Sequence, residues 1–175
     1  MHSMRLLVTL LAIGLIAGCG FKLRSDNAVS GRTLPFATIA LSLPAESELY
    51  GQIRSALEAS ASTRVVSNAA TADAVLTVLG DNSQKTILSL SAAGRAREYQ
   101  LVRTFTFRVH TPRLAEYVPV SQISVRRSMT FSDELVLSKE SEEAVIWNDI
   151  QKDLVGQLMR RILSSKAKPV EPAEE

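Results

Sequence analysis

Over residues 95–110 the chain alternates in character. Tyr99, Leu101, Phe105, Phe107 and Val109 fall on one parity, and Gln100, Thr104, Thr106, Arg108 and His110 on the other. Successive side chains of a strand point to opposite faces, so the run predicts one long strand with a core face and a wet face. Such a strand needs neighbours to pair with and a layer to cover its apolar side. Antiparallel sheets with one solvated face carry this signature, whereas covered parallel sheets read as continuous apolar runs.

The flanking sequence supplies both. Residues 120–131 repeat the alternation, with Ile123, Val125, Met129 and Phe131 on the apolar side, and Pro112 and Pro119 bracket the intervening loop. Residues 74–79 and 86–91 are also strand-like. Between them Gly80, Asp81, Asn82 and Ser83 suit either a hairpin turn or a bulge, and one long bulged strand is the preferred reading. Residues 34–43 form the first strand, with Pro35 near its start where a missing N–H is tolerated, and 64–67 admit a brief one.

Pro44 opens a helix with Glu46 and Glu48 in its first turn and Leu49, Ile53, Ala56 and Leu57 on one face, ending near Ala61. A second helix is predicted over 138–163. Its acids Glu140, Glu142 and Glu143 come early and Arg160 and Arg161 late, with Trp147, Ile150, Leu154, Leu158 and Ile162 as the buried stripe. The expectation is an α+β domain over 33–163, two helices packed on one face of a mainly antiparallel four-stranded sheet. Residues 164–175, rich in Lys, Pro and Glu, have too little apolar surface to fold and read as a disordered tail.

The chain has one cysteine, Cys19, so no intramolecular disulfide can form and stability must come from the core. Ahead of it, Arg5 is followed by an apolar run from Leu6 to Ile16, and then by the small pair Ala17 and Gly18. This is the layout of a secretory signal, 1–18, too short to span a bilayer core of about 30 Å. Ile16-Ala17-Gly18-Cys19 resembles the box read by lipoprotein signal peptidase. The expectation is cleavage before Cys19, a diacylglycerol thioether on its sulfur, a third acyl chain on its amine, and a lipidated tether over 19–32. Acyl chains contribute about 0.8 kcal/mol per buried methylene, and two or more anchor stably. The plain competitor is an ordinary secreted protein. By analogy with bacterial sorting, Gly20 after the cysteine implies the outer membrane.

The formal charge of +2 includes Arg5, leaving the mature part near neutral, which gives no support to nucleic-acid binding. Two histidines occur, and His2 leaves with the signal. With His110 alone, no histidine-rich metal site or thiol nucleophile is available. No Gly-x-Ser-x-Gly elbow accompanies His110, which reads as an exposed strand-end side chain, and the glycines are scattered singly rather than in a phosphate loop. No enzyme, metal or cofactor is expected. The informative residues are basic: Arg95, Arg97, Arg103 and Arg108 on one strand, Arg126 and Arg127 on the next. Arg103 and Arg127 follow the apolar parity, where a charge must be paired or near an edge. The set serves either solubility or an anionic amphiphile, because guanidinium groups engage phosphates while nearby apolar surface takes acyl chains. Lys139 fits either reading.

GCGFKLR (18–24), REYQL (97–101), RRSMTF (126–131), LSKESEE (137–143) and LMRRIL (158–163) together resemble the LptE family of outer-membrane lipopolysaccharide-assembly lipoproteins, in order and spacing along nearly the whole mature chain. The resemblance implies a small α/β fold that plugs the LptD β-barrel, assists its assembly and helps deliver lipopolysaccharide to the outer leaflet, without catalysis. It implies lipopolysaccharide contact through Lys139, in the LSK segment, and through Arg95, Arg97 or Arg103 around the central strand. The competing hypothesis is a free-standing envelope lipoprotein that binds lipid or acts as a scaffold.

Overall fold

A computed structural model describes residues 34–60, 63–131, 136–165 and 169. The expected signal segment, Cys19 with its tether, and most of the expected tail lie outside these residues. The elements are β1 (Thr38–Ser42), α1 (Glu48–Ser60), β2 (Arg64–Val66), β3 (Ala74–Leu90), β4 (Ala96–His110), β5 (Glu116–Thr130) and α2 (Val136–Leu163).

The sheet has five strands in the order β2-β1-β3-β4-β5. This corrects the four-stranded, mainly antiparallel expectation: β1 pairs parallel with both β2 and β3, and only β3-β4-β5 is antiparallel. The cause is the short helix α1, which carries the chain from β1 back to the same end of the sheet before β2 begins, as parallel strands require. At that entry the Arg64 amide donates to the Ala37 carbonyl at 2.8 Å and the buried Thr63 hydroxyl to the Phe36 carbonyl at 3.0 Å.

β3 is one long strand, as preferred from the sequence, and it is bulged. Val78 faces Phe107, the next pair is Gly80 with Thr106, and Asp81 then faces Phe105. The extra residue exchanges the parity of the two faces. Leu76 and Val78 share a face with Phe107 and Val109, and beyond the bulge Asp81, Ser83, Lys85 and Ile87 take over that face. β5 starts four residues earlier than its expected start at 120. Pro119 lies inside it, tolerated because β5 is an edge strand and its register with β4 slips between Phe107 and Val109. The β4–β5 connection is reduced to a tight turn in which Leu114 adopts φ of 68°.

Both helices cover one face. Leu49, Ile53 and Leu57 of α1 and Ile150, Leu154, Leu158 and Ile162 of α2 form one cluster with Ile39, Leu76, Leu101, Phe105, Phe107, Val109, Ile123 and Val125 of the sheet. Full burial of each such side chain contributes roughly 1.5–3 kcal/mol. α1 starts at Glu48 rather than Pro44, because Pro44 and Ser47 close a turn and the Ser47 hydroxyl caps the helix, accepting the Tyr50 amide at 3.2 Å. α2 starts two residues before its expected start, which leaves its first turn without acids.

On the opposite face the strands are polar. A second small cluster forms where Ala72, from the β2–β3 connection, packs on Ala40 and Val75.

Candidate functional site

The β3–β4–β5 ladder runs beyond the helical core to a far end where β3 finishes and β4 begins. There the Tyr99 and Phe131 rings meet edge to face, centroids 5.3 Å apart. Alternation brings this about, because Tyr99 pairs with Met129 and the Phe131 amide donates to the Arg97 carbonyl at 2.7 Å. Lys85 reaches the same place from β3. Its Nζ lies 4.4 Å from the centre of the Tyr99 ring and 2.5 Å from Glu143 Oε2. Lys139, in the first turns of α2, donates to Glu142 at 2.6 Å and to the Thr130 hydroxyl at 3.4 Å, with its side chain 15% exposed.

Arg97 stands one strand position from the Glu98–Thr130 pair that neighbours Lys139, exposed to solvent and in no ion pair among the described residues. Arg95 closes the β3–β4 hairpin. Its amide donates to the Ser91 hydroxyl at 3.2 Å, its carbonyl accepts the Ser91 amide, and Gly94 supplies the positive φ of 74° that the turn requires. Around these cations Ile87, Leu88 and Leu90 are more than half exposed. The far end thus sets cationic groups beside aromatic and aliphatic surface, the chemistry suited to an anionic amphiphile.

Arg95, Arg97 and Lys139 therefore come to one end of the molecule, and Arg103 does not. Six residues along β4 from Arg97, about 20 Å at strand rise, Arg103 points under α2. It grips both Asp81 oxygens at 2.9 and 2.7 Å and donates to Gln151 at 2.8 Å. Arg127 is held likewise by Asp149 and Asp153, which raise its pKa above the ordinary value. These two arginines on the apolar parity are paired, as that parity demands. Lys85 escaped the sequence reading because its place beside Tyr99 depends on the bulge.

His110, expected to be exposed, is 7% exposed. It faces Val75, a member of the Ala40–Ala72–Val75 cluster, in register. Its Nδ1–H donates to the Thr111 carbonyl at 2.7 Å, and Nε2 accepts the Thr77 hydroxyl at 2.8 Å, a tautomer assigned from the partners. Among the described residues no group of three or more His, Cys, Asp or Glu is placed to hold a metal, and no helix is long and apolar enough to cross a membrane.

Fold and site define a two-layer α+β domain with basic side chains and exposed apolar surface at one end of its sheet. The chain belongs to the LptE family: the family model described as lipopolysaccharide-assembly matches residues 36–162. It is similar to the LPS-assembly lipoprotein LptE of Pectobacterium atrosepticum, 28% identical over 167 residues, spanning 93% of this chain and 86% of the relative. The protein of the same name from Yersinia enterocolitica is 26% identical, spanning 99% and 82%. The solution structure of an uncharacterized lipoprotein B from Nitrosomonas europaea superposes with a TM-score of 0.68 at 32% identity, covering 83% of this chain and 91% of that one.

Proposed function

We propose that this protein is a lipid-anchored component of lipopolysaccharide assembly at the outer membrane. It plugs and helps to assemble the LptD β-barrel, and its far end meets the phosphates and acyl chains of lipopolysaccharide during delivery to the outer leaflet. The observation that carries the reading is that one end of the sheet holds Lys85 over the Tyr99 ring, Arg97 opposite Phe131 and Lys139 against Thr130, with Ile87, Leu88 and Leu90 exposed there. Family membership and the names of the relatives supply the lipid's identity. Thr104, Thr106, Gln122 and Ser124, on the polar sheet face, suit the lumen of a large barrel, which is itself polar. Cys19 would hold the domain at the inner surface of that membrane. In this reading Arg95, Arg97, Lys85 and Lys139 contact ligand, Arg103 holds the sheet to α2, and no bond is made or broken.

Two measurements test it. Full-chain protein carrying Arg97→Glu and Lys139→Glu should lose most lipopolysaccharide binding, while Arg103→Ala should keep it. Pull-down from detergent-solubilised membranes should recover LptD, and recovery of the chain alone would favour a free-standing envelope lipoprotein.

A further inference from the structure

Arg108 stands on the polar face of β4, away from the helices. Among the described residues its guanidinium makes no hydrogen bond or ion pair, and its Nε is buried. Arg103 and Arg127, on the helix side, are each held by carboxylates, so an unpartnered buried donor is the exception in this sheet. The two neighbouring strands account for its isolation. On β3 the residue opposite is Thr77, which directs its hydroxyl to His110 Nε2 at 2.8 Å. On β5 the register passes from the Val109–Val118 pair to the Phe107–Ser121 pair, which sets Pro119 and Val120 together against Arg108. Glu116, opposite His110, is the nearest carboxylate in register and forms no ion pair with it among the described residues.

We infer that Arg108 is a docking anchor that takes a carboxylate from the protein covering this sheet face. A donor already withdrawn from water gains an acceptor without first losing hydration, which a solvated cation must do. Two exposed aliphatic side chains lie close by in register: Leu79, the bulged residue of β3, is 50% exposed, and Val120 is 58% exposed. Arginine among apolar side chains is the composition of an interface centre, from which lysine and the acids are depleted. From Gln100 to Thr106, and at the positions paired with them on both neighbouring strands, the same face carries no carboxylate and one further cation, Arg126. Arg126 is level with Val102, six residues or about 20 Å along β4 from Arg108. A guanidinium so far from the next cation matches a single carboxylate, whereas phosphate recognition gathers basic groups into clusters. The anchor rests on the proposed reading that a protein wall covers this face, and adds the residue and the charge that meet there.

The test compares full-chain variants in two measurements, recovery of LptD from detergent-solubilised membranes and the urea midpoint of the chain alone. Arg108→Met removes the unsatisfied donor and keeps the apolar contact, so the midpoint should stay or rise while recovery falls by about tenfold. Arg108→Lys should recover part, and Arg108→Glu should abolish recovery. Arg126→Met, which removes an exposed guanidinium from the same face, should change recovery little. Lipopolysaccharide binding should be equal in Arg108→Met and the unsubstituted chain. Undiminished recovery with Arg108→Met overturns the anchor and leaves the plug reading standing, whereas an unsubstituted chain that recovers no LptD overturns both. A midpoint that falls together with recovery would assign Arg108 to the fold, loss of lipopolysaccharide binding with recovery intact would assign it to the lipid, and an equal loss from Arg126→Met would replace the anchor by diffuse charge; each of these overturns it.

Discussion

Arg103 shows how one charge on the core side of a sheet is made tolerable. Its side chain is 14% exposed, and its guanidinium is satisfied by a bidentate carboxylate and an amide oxygen. Removing it strands Asp81 at the edge of the core, so Arg103→Ala should lower stability by about 1–3 kcal/mol, read from the urea midpoint. Arg103→Lys should recover only part, since an ammonium cannot reproduce the fork. Asp73 acts at the other end of the sheet. One of its oxygens accepts the Thr38 hydroxyl at 2.8 Å, the Thr38 amide at 2.9 Å and the Ala37 amide at 3.2 Å. These bonds, led by the Thr38 hydroxyl, hold its pKa below the ordinary 3.8. A depressed carboxylate contributes stability that is fully present above its unfolded value and is lost as pH falls through the folded one. The stability of the protein should therefore drop on acidification below the ordinary value, and Asp73→Asn should flatten that drop. An equal acid slope in the two proteins would remove Asp73 as the cause.

At the scale of elements, the helices are placed by features that the apolar pattern alone does not carry. α1 waits for Ser47, whose hydroxyl both donates to the Pro44 carbonyl at 2.8 Å and accepts the Tyr50 amide. Ser47→Ala should cost about 1 kcal/mol of unfolding free energy, and Ser47→Asp, also a good cap, should retain most of it. α2 is fixed to the sheet at three levels, by Lys85 to Glu143, Arg103 to Gln151 and Arg127 to Asp149 and Asp153. The bulge in β3 sets the first level and brings Asp81 to Arg103 at the second, since a strand without it would turn Lys85 and Asp81 to the polar face.

At the scale of the whole molecule, one apolar cluster joins both helices to the sheet, with Leu154 fully buried within it. Leu154→Ala should therefore lower stability by about 2–5 kcal/mol. Fluorescence of Trp147, the single tryptophan, and far-UV circular dichroism should shift together, as in one cooperative unit. Transitions that separate would divide the domain. Much of this architecture can be read in the amino acids: the two helices, the long β4 strand, the single bulged β3, the core stripe of α2 and the pairing demanded of Arg103 and Arg127 all follow from local periodicity and the cost of a bare charge. Local pattern could not supply the parallel pairing of β1, the passage of β5 through Pro119 or the burial of His110, because each depends on which distant segment lies alongside. The same holds for the far end. Arg95, Arg97 and Lys139 were visible one by one in the sequence by itself and Lys85 was not, but only the tertiary structure gathered Lys85, Arg97 and Lys139 and sent Arg103 elsewhere, because the register between strands and one extra residue in β3 decide which face each side chain takes.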